Sequence, residues 1–352
     1  MNPQQKKLNS NGPLTLEDQH KLIIEVREAI NKNKSFEKMK ENSPNEFSRY
    51  CSDASISRYL RARNWNVKKA VKMFEASLTW RMAYKPEEIL WEHVAAEAET
   101  GKIYRSSCKD KNGRVVLVLT PRFQNSKSVR AQVKYLVYCM ENAILNLPSD
   151  QEQMIWLIDF HGFNLSNISI KSTKETAFVL QEQYPERLGL AILYNPPKFF
   201  EPFYKVRSLP YFAGQQVLGP GQTGQCYDPE CQIASTVVKP FLEPKTANKV
   251  KFVYSDDPNT KTIMENLFCM DELESAFGGK HEEHFDIKKY AEKMKEDDAK
   301  RAVLYGRESC PEPSSNINSE PNPDNEEATD TNSVKEVDEE EISMETRKTD
   351  DG

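Results

Sequence analysis

The 352-residue chain is predicted to hold an α/β domain, a mostly parallel sheet covered by helices, preceded by a small all-helical module. Two observations predict the sheet. From Ile103 to Ser255, apolar runs of strand length alternate with segments of helical spacing. The runs RVVLVLT, MIWLIDF and LGLAILY are also nearly continuous, as in strands buried on both faces, and do not alternate as half-exposed strands do. A third observation predicts the module: between Leu14 and Tyr84 only helical periodicity is present.

The first helix is expected over Leu14–Asn31, with Thr15 as N-cap, Asp18 three residues on, and Leu22, Ile23, Val26 and Ile30 at apolar spacing. Two more lie in Asp53–Tyr84. One has Ile56, Tyr59 and Leu60 on its apolar face, the other Ala70, Met73, Phe74 and Leu78, and Asn64–Asn66 is the turn between them. CKDKNG ends in an Asn-Gly turn and leads into a strand over Arg114–Thr120. A helix over Val129–Leu147, a strand over Met154–Phe160, a helix over Lys171–Tyr184 and a strand over Leu188–Tyr194 follow. VKFVYS is the last strand, and Asn259–Asn266 and Ile287–Met294 are expected as helices. The resulting division is a polar leader (1–13), a helical module (14–98), an α/β domain (99–302) and a tail (303–352).

Charge is unevenly spread. Residues 307–352 hold 15 acidic and 4 basic residues and no aromatic, which leaves Met1–Gly306 at +5 within a net charge of −6. Such a tail buries too little apolar surface to offset its ordering entropy and is expected to be disordered. The leader lacks the apolar core of a signal peptide, and no apolar run reaches the roughly 20 residues of a membrane span. Seven cysteines without pairing rhythm fit reduced thiols in a cytoplasmic protein.

Two signatures of α/β enzymes are missing: GxSxG and GxxxxGK[ST] do not occur. Cys108 and Arg114 have the CxxxxxR spacing of a cysteine phosphatase, yet a strand follows the loop where a phosphate-holding helix is required. His281 and His284 flank two glutamates as HEEH, not HExxH, and fit a solvated turn. Asp159 at a strand end fits a capping role. No catalytic residue, metal site or cofactor is expected.

One stretch fits another chemistry. From Tyr184 to Leu242 the chain reads YPERLGLAILYNPPKFFEPFYKV, then an irregular segment, then VVKPFLEP. Joined directly, the flanks read KFFEPFYKVVKPFLEP, a short amphipathic helix with an aromatic face, suited either to a core or to a lipid surface. A sheet lined by Leu, Ile and Val with few polar anchors suits a lipid pocket. Each methylene exposed to water costs about 0.8 kcal/mol, so a diacyl lipid of about 30 methylenes faces roughly 20 kcal/mol outside one.

The motifs RYLRARNWNVKKAVKMFEASLTWR, WLIDFHGF, QEQYPERLGLAILYNPPKFFEPFYK, VVKPFLEPKTANKVKF and AFGG, between Ser52 and Phe285, resemble the CRAL-TRIO lipid-binding family, specifically its phosphatidylinositol-transfer branch. The resemblance implies the CRAL-TRIO fold, with a lipid cavity and a helical gate that opens on membranes. It also implies a head-group site. Glu186 would accept hydrogen bonds from inositol hydroxyls, Lys249 and Thr246 would take the phosphate, and Arg63 would reach in from the helical module. Arg187 would either join that site or hold Glu186 in place; Arg61 and Lys205 are weaker candidates. The gate would carry Phe199, Phe200, Phe203, Tyr204, Phe241 and Leu242.

Two departures from the family pattern matter. Met154 and Trp156 stand where relatives that also bind phosphatidylcholine have hydroxyl residues, which favours an inositol lipid. The segment 207–236 interrupts the gate, as a tolerated loop or, because the flanks rejoin so well, as a translated intron or splice variant. The implied function is non-enzymatic transfer of phosphatidylinositol by a monomer that meets membranes transiently, with a lipid kinase as one expected partner and nucleic acid as none. The alternatives are a sterol or tocopherol carrier and a lipid-sensing scaffold.

Overall fold

The Asn-Gly turn closes a hairpin. In the computed structural model, which describes residues 14–164, 169–198, 200, 249–282 and 284–305, β1 (Ile103–Lys109) runs antiparallel to β2 (Val115–Leu119). Gly113 takes φ 76°, and the Asp110 carboxylate accepts from the N–H groups of Asn112 (3.1 Å) and Arg114 (2.7 Å) and from Arg114 Nε (2.8 Å). β1 was not anticipated as a strand. It lies at the sheet edge, and its polar IYRSSCK sequence alternates between buried and exposed only towards its end. Asp110→Ala is expected to cost about 2 kcal/mol, since it strips the turn and the Arg114 guanidinium of their acceptor; urea unfolding with an unchanged m-value would measure it.

β2, β3 (Met154–Asp159), β4 (Leu188–Tyr194) and β5 (Val250–Val253) pair in parallel, giving the strand order β1-β2-β3-β4-β5. The register shifts between Met154 and Ile155, so Gly189 is the extra residue on β4. A Cβ there would sit 2.8 Å from an Arg114 nitrogen and 2.9 Å from Gln153 Oε1.

The helices of the first two crossovers pack on one face. There α7 (Val129–Leu145) shares a core with Leu117, Met154, Trp156, Ala191 and Leu193, joined by Val179 and Leu180 just after α8 (Ile170–Phe178), which lies against α7. On the other face Ile155, Leu157, Leu190 and Ile192 meet Met264 of a helix over Thr260–Leu267, together with Phe268 and Phe277. α8 does not continue to Tyr184 as a regular helix: residues 179–183 form a π turn that delivers the chain to Pro185.

The module is built as expected and then extended. α1 (Leu16–Lys32) is capped by Thr15, whose hydroxyl oxygen accepts from the Asp18 N–H at 3.1 Å. α4 (Asp53–Ala62) and α5 (Val67–Tyr84) turn on Asn64 and Trp65, both left-handed, and bury Ile56, Leu60, Ala70 and Phe74. Between α1 and α4 lie α2 (Glu37–Asn42) and α3 (Pro44–Tyr50), absent from the expectation; they add Met39 and Phe47 to the core. α6 (Ala95–Ala98) leads to the sheet. With the helix after β5 as α9, the last described helix, α10, runs from Ile287 to Leu304 and not to Met294. Its charged second half docks inward, with Asp297 and Arg301 buried.

Candidate functional site

Glu186 and Lys249 meet at the amino ends of β4 and β5. Lys249 Nζ lies 3.1 Å from Glu186 Oε2, with side chains 24% and 17% exposed, so the pair is sheltered but reachable. Glu186 holds φ 60°, a left-handed conformation that costs a non-glycine residue on the order of 1 kcal/mol. The strand ladder positions its partner, because the Lys249 carbonyl accepts from the Ala191 N–H at 2.7 Å. Such a pair can accept from hydroxyls and donate to an anion at one place.

Arg187 is turned elsewhere. It donates to the Glu152 carbonyl at 3.0 Å and does not hold Glu186, so the expected alternative of an Arg187 brace for that carboxylate does not describe this structure. Burial first, then the positive charge of Arg58, pushes its guanidinium down to about 9. Arg63 pairs with Glu182 on the π turn at 2.9 Å, four residues before Glu186. Thr246 and Lys205, like Phe199, Phe203, Tyr204, Phe241 and Leu242, lie outside the described residues, as do the leader and the segment 207–236.

An apolar cavity of about 190 Å³ opens towards the carboxyl ends of β2 and β3, lined by Leu119, Leu136, Trp156, Ile158, Phe160 and Leu180. This volume is below the roughly 300–1,000 Å³ of small-molecule sites, so the described walls enclose part of a chain, not a whole lipid. Phe200, expected on the gate, is fully buried and stands edge-on to Phe160 at 5.5 Å and Phe163 at 6.0 Å. Membrane contact by Phe200 would require breaking that cluster. Cavity and ion pair are separated along the sheet by about 20 Å, the length of a six-residue strand. A ligand reaching both needs a polar head and a long apolar chain.

The module is held to the domain by ion pairs that sequence reasoning missed. Arg58 and Arg61 share Glu152, at 3.0 and 2.6 Å, and Arg81 meets Glu141 at 2.8 Å in the interior. The signal was present as arginines three apart at the end of α4, which put both on one face.

Groups weighed for catalysis have other uses. Cys108 is buried in β1, and burial, with the nearby Glu272 and Glu274 charges, pushes its thiol up to about 12. Arg114 is bound to Asp110 at 2.7 Å. Asp159 pairs with Arg122 at 2.5 Å and accepts from the His161 N–H at 2.9 Å. Among the described residues no group of three or more His, Cys, Asp and Glu side chains could hold a metal ion.

Residues 98–209 match the model of the CRAL/TRIO domain, and residues 24–76 match the model of the CRAL/TRIO N-terminal domain. The chain carries a CRAL/TRIO domain and a CRAL/TRIO N-terminal domain. Among curated relatives, this CRAL/TRIO chain is 30% identical over 236 residues to "CRAL-TRIO domain-containing protein C23B6.04c" of Schizosaccharomyces pombe, covering 67% of this chain and 19% of the relative. It is 33% identical over 170 residues to "Phosphatidylinositol transfer protein PDR17" of Saccharomyces cerevisiae, covering 42% of this chain and 46% of that protein. It therefore spans less than half the length of either. The crystal structure of Sfh5 superposes with a TM-score of 0.52 at 15% identity, over 79% of this chain and 92% of that one, a likeness of fold. In this CRAL/TRIO chain the N-terminal domain match lies within the helical module, and the CRAL/TRIO match covers the hairpin through β4.

Proposed function

We propose that this CRAL/TRIO chain binds phosphatidylinositol and transfers it between membranes without chemically altering it. The observation that carries the proposal is the Glu186–Lys249 pair, sheltered at one end of a sheet whose other end opens an apolar cavity. The head group would exchange the Lys249–Glu186 contact for its own, with phosphate on Lys249 and Thr246 and inositol hydroxyls on Glu186, while Arg63 approaches from the module. Met154 and Trp156 are buried apolar side chains where a choline phosphate would need hydroxyls, which supports an inositol lipid. A relative named as a phosphatidylinositol transfer protein supports the same choice. Within the proposal the chain works as a cytoplasmic monomer, meets membranes transiently and can hand its lipid to a lipid kinase. Among the described residues no helix is long and apolar enough to cross a membrane.

The test is transfer of labelled phosphatidylinositol from donor to acceptor vesicles. Wild-type protein is expected to transfer it, and Lys249→Ala to lower the rate at least tenfold, since one charge-assisted contact to a sheltered anion contributes about 1.5–3 kcal/mol. Absence of transfer by the wild type, with a sterol or tocopherol found bound by native mass spectrometry, would refute the proposal.

A further inference from the structure

A second cavity, of about 280 Å³, lies between the helical module, the segment around Tyr184 and the carboxyl end of α10. Neither Glu186 nor Lys249 nor Arg63 lines it. Five arginines do, at positions 49, 58, 81, 187 and 301, against a single carboxylate, Glu141. Three of the five are neutralised: Arg81 by Glu141, Arg58 by Glu152 and Arg301 by Asp298 at 2.7 Å. Arg187 and Arg49 have no carboxylate at ion-pair distance among the described residues. Arg187 donates to one carbonyl, and Arg49 stacks on the Tyr305 ring at 4.8 Å. Two guanidiniums that face a shared cavity without counter-charge repel each other and their neighbours. An anion with several acceptor oxygens removes that cost and satisfies forked donors.

A second, independent observation comes from the same wall. Gln183 is 4% exposed, lines the cavity and leaves its side-chain oxygen without a hydrogen-bond donor. A buried acceptor of this kind calls for a hydrogen-bond donor, which a hydroxyl of the occupant can supply. The volume is near the lower end of small-molecule sites and too small for a diacyl lipid. Negative oxygens, a hydroxyl and compact size together describe a phosphate group, free or as the monoester of a small polyol.

We propose that this cavity binds a soluble phosphate-bearing anion, held by Arg187 and Arg49 and donating a hydroxyl to Gln183. The site goes beyond the lipid function proposed above, and its occupant ties the module to the domain, because Arg49 belongs to α3 and Arg187 opens β4.

The test is isothermal titration of the full chain with inorganic phosphate and with inositol 1-phosphate, at constant ionic strength with chloride as the reference salt. Saturable binding of one equivalent of either anion is expected, weakened at least tenfold by Arg187→Gln and not by Lys249→Ala. No saturable binding, or loss in Lys249→Ala with retention in Arg187→Gln, overturns the proposal; the second result would place the anion in the lipid head-group site. Should Arg187→Gln fail to fold by circular dichroism, Arg49→Ala decides, because Arg49 is exposed and has no carboxylate to orphan. It is expected to weaken binding several-fold at unchanged Tm, and unaltered binding overturns the site. Vesicles containing phosphatidylinositol 4-phosphate separate the sources: Arg187-dependent binding to vesicles with none to the two soluble anions also overturns it.

Discussion

Replacing Arg81 by methionine is expected to lower the unfolding free energy by about 3–5 kcal/mol, because it leaves a buried carboxylate without its counter-charge. Glu141 is 6% exposed, and its Oε1 accepts from Arg81 at 2.8 Å and from the Tyr184 hydroxyl at 2.6 Å. Arg81 also packs its guanidinium on the Tyr50 ring at 4.6 Å and the Tyr184 ring at 5.2 Å, so both charge and stacking are lost. Burial alone would raise the Glu141 carboxyl, but Arg81 and the Tyr184 hydroxyl overcome it and hold the group below the usual glutamate range. The folded value is thus lower than the unfolded one. The stability it contributes is fully present above the ordinary value of about 4.3 and is lost as pH falls through the depressed folded value. Chemical denaturation between pH 7 and pH 3 checks both points. Wild type is expected to lose stability on the acid side, and Glu141→Gln to lose less between the same limits. A pH-independent difference between these two proteins would count against the account.

Asp297→Ala is expected to cost a similar amount, about 3–5 kcal/mol, and to loosen α10 first. Asp297 is 1% exposed and gathers Arg105 at 2.6 Å, Asn142 at 3.0 Å, Asn146 at 3.1 Å and Lys300 at 2.9 Å. These partners come from β1, from α7 and its end, and from α10 itself, so one carboxylate pins three parts of the fold. Burial would raise its carboxyl, but the hydrogen bonds from Lys300 and Asn142 and the charge of Arg105 outweigh that and hold it low. Its stabilisation therefore also fades as pH drops. Hydrogen exchange is the direct measurement: amides of residues 297–304 should exchange much faster in the variant, while those of β3 keep their protection. Equal acceleration everywhere would mean that α10 does not open separately.

Wherever the fold depends on apolar periodicity, it was legible. The strands around Leu117, Leu157 and Ile192 and the faces of α4 and α5 follow from runs of Val, Ile and Leu or from residues three and four apart. The missed parts rest on polar residues. β1 carries Ser and Arg at an edge, and the end of α10 reads as a solvated charge run although Asp297 and Arg301 point inward. Charged side chains read as surface because burial is costly unless a partner waits, and a partner distant in the chain leaves no local pattern. Glu152, which takes Arg58 and Arg61, is 94 and 91 residues from them. The YPER and KTANK motifs singled out Glu186 and Lys249 in the sequence, and the structure pairs the two side chains at 3.1 Å. It also parts Arg187 from Glu186, a separation that adjacency in sequence concealed.

The late pairing of β5 has a consequence in time. β2, β3 and β4 follow one another through single helical crossovers, but β5 can join only after the whole stretch 195–249 has been made. Residues 207–236 roughly double that path, and each doubling of a loop adds only about 0.6 kcal/mol to the entropy of closing it. A connection longer by that many residues therefore adds little to the equilibrium cost of pairing β5. The delay falls on the nascent chain, where contacts between distant residues form slowest. Until β5 arrives, the apolar strand LGLAILY stands with an open hydrogen-bonding edge, a template for pairing with the same strand of another chain.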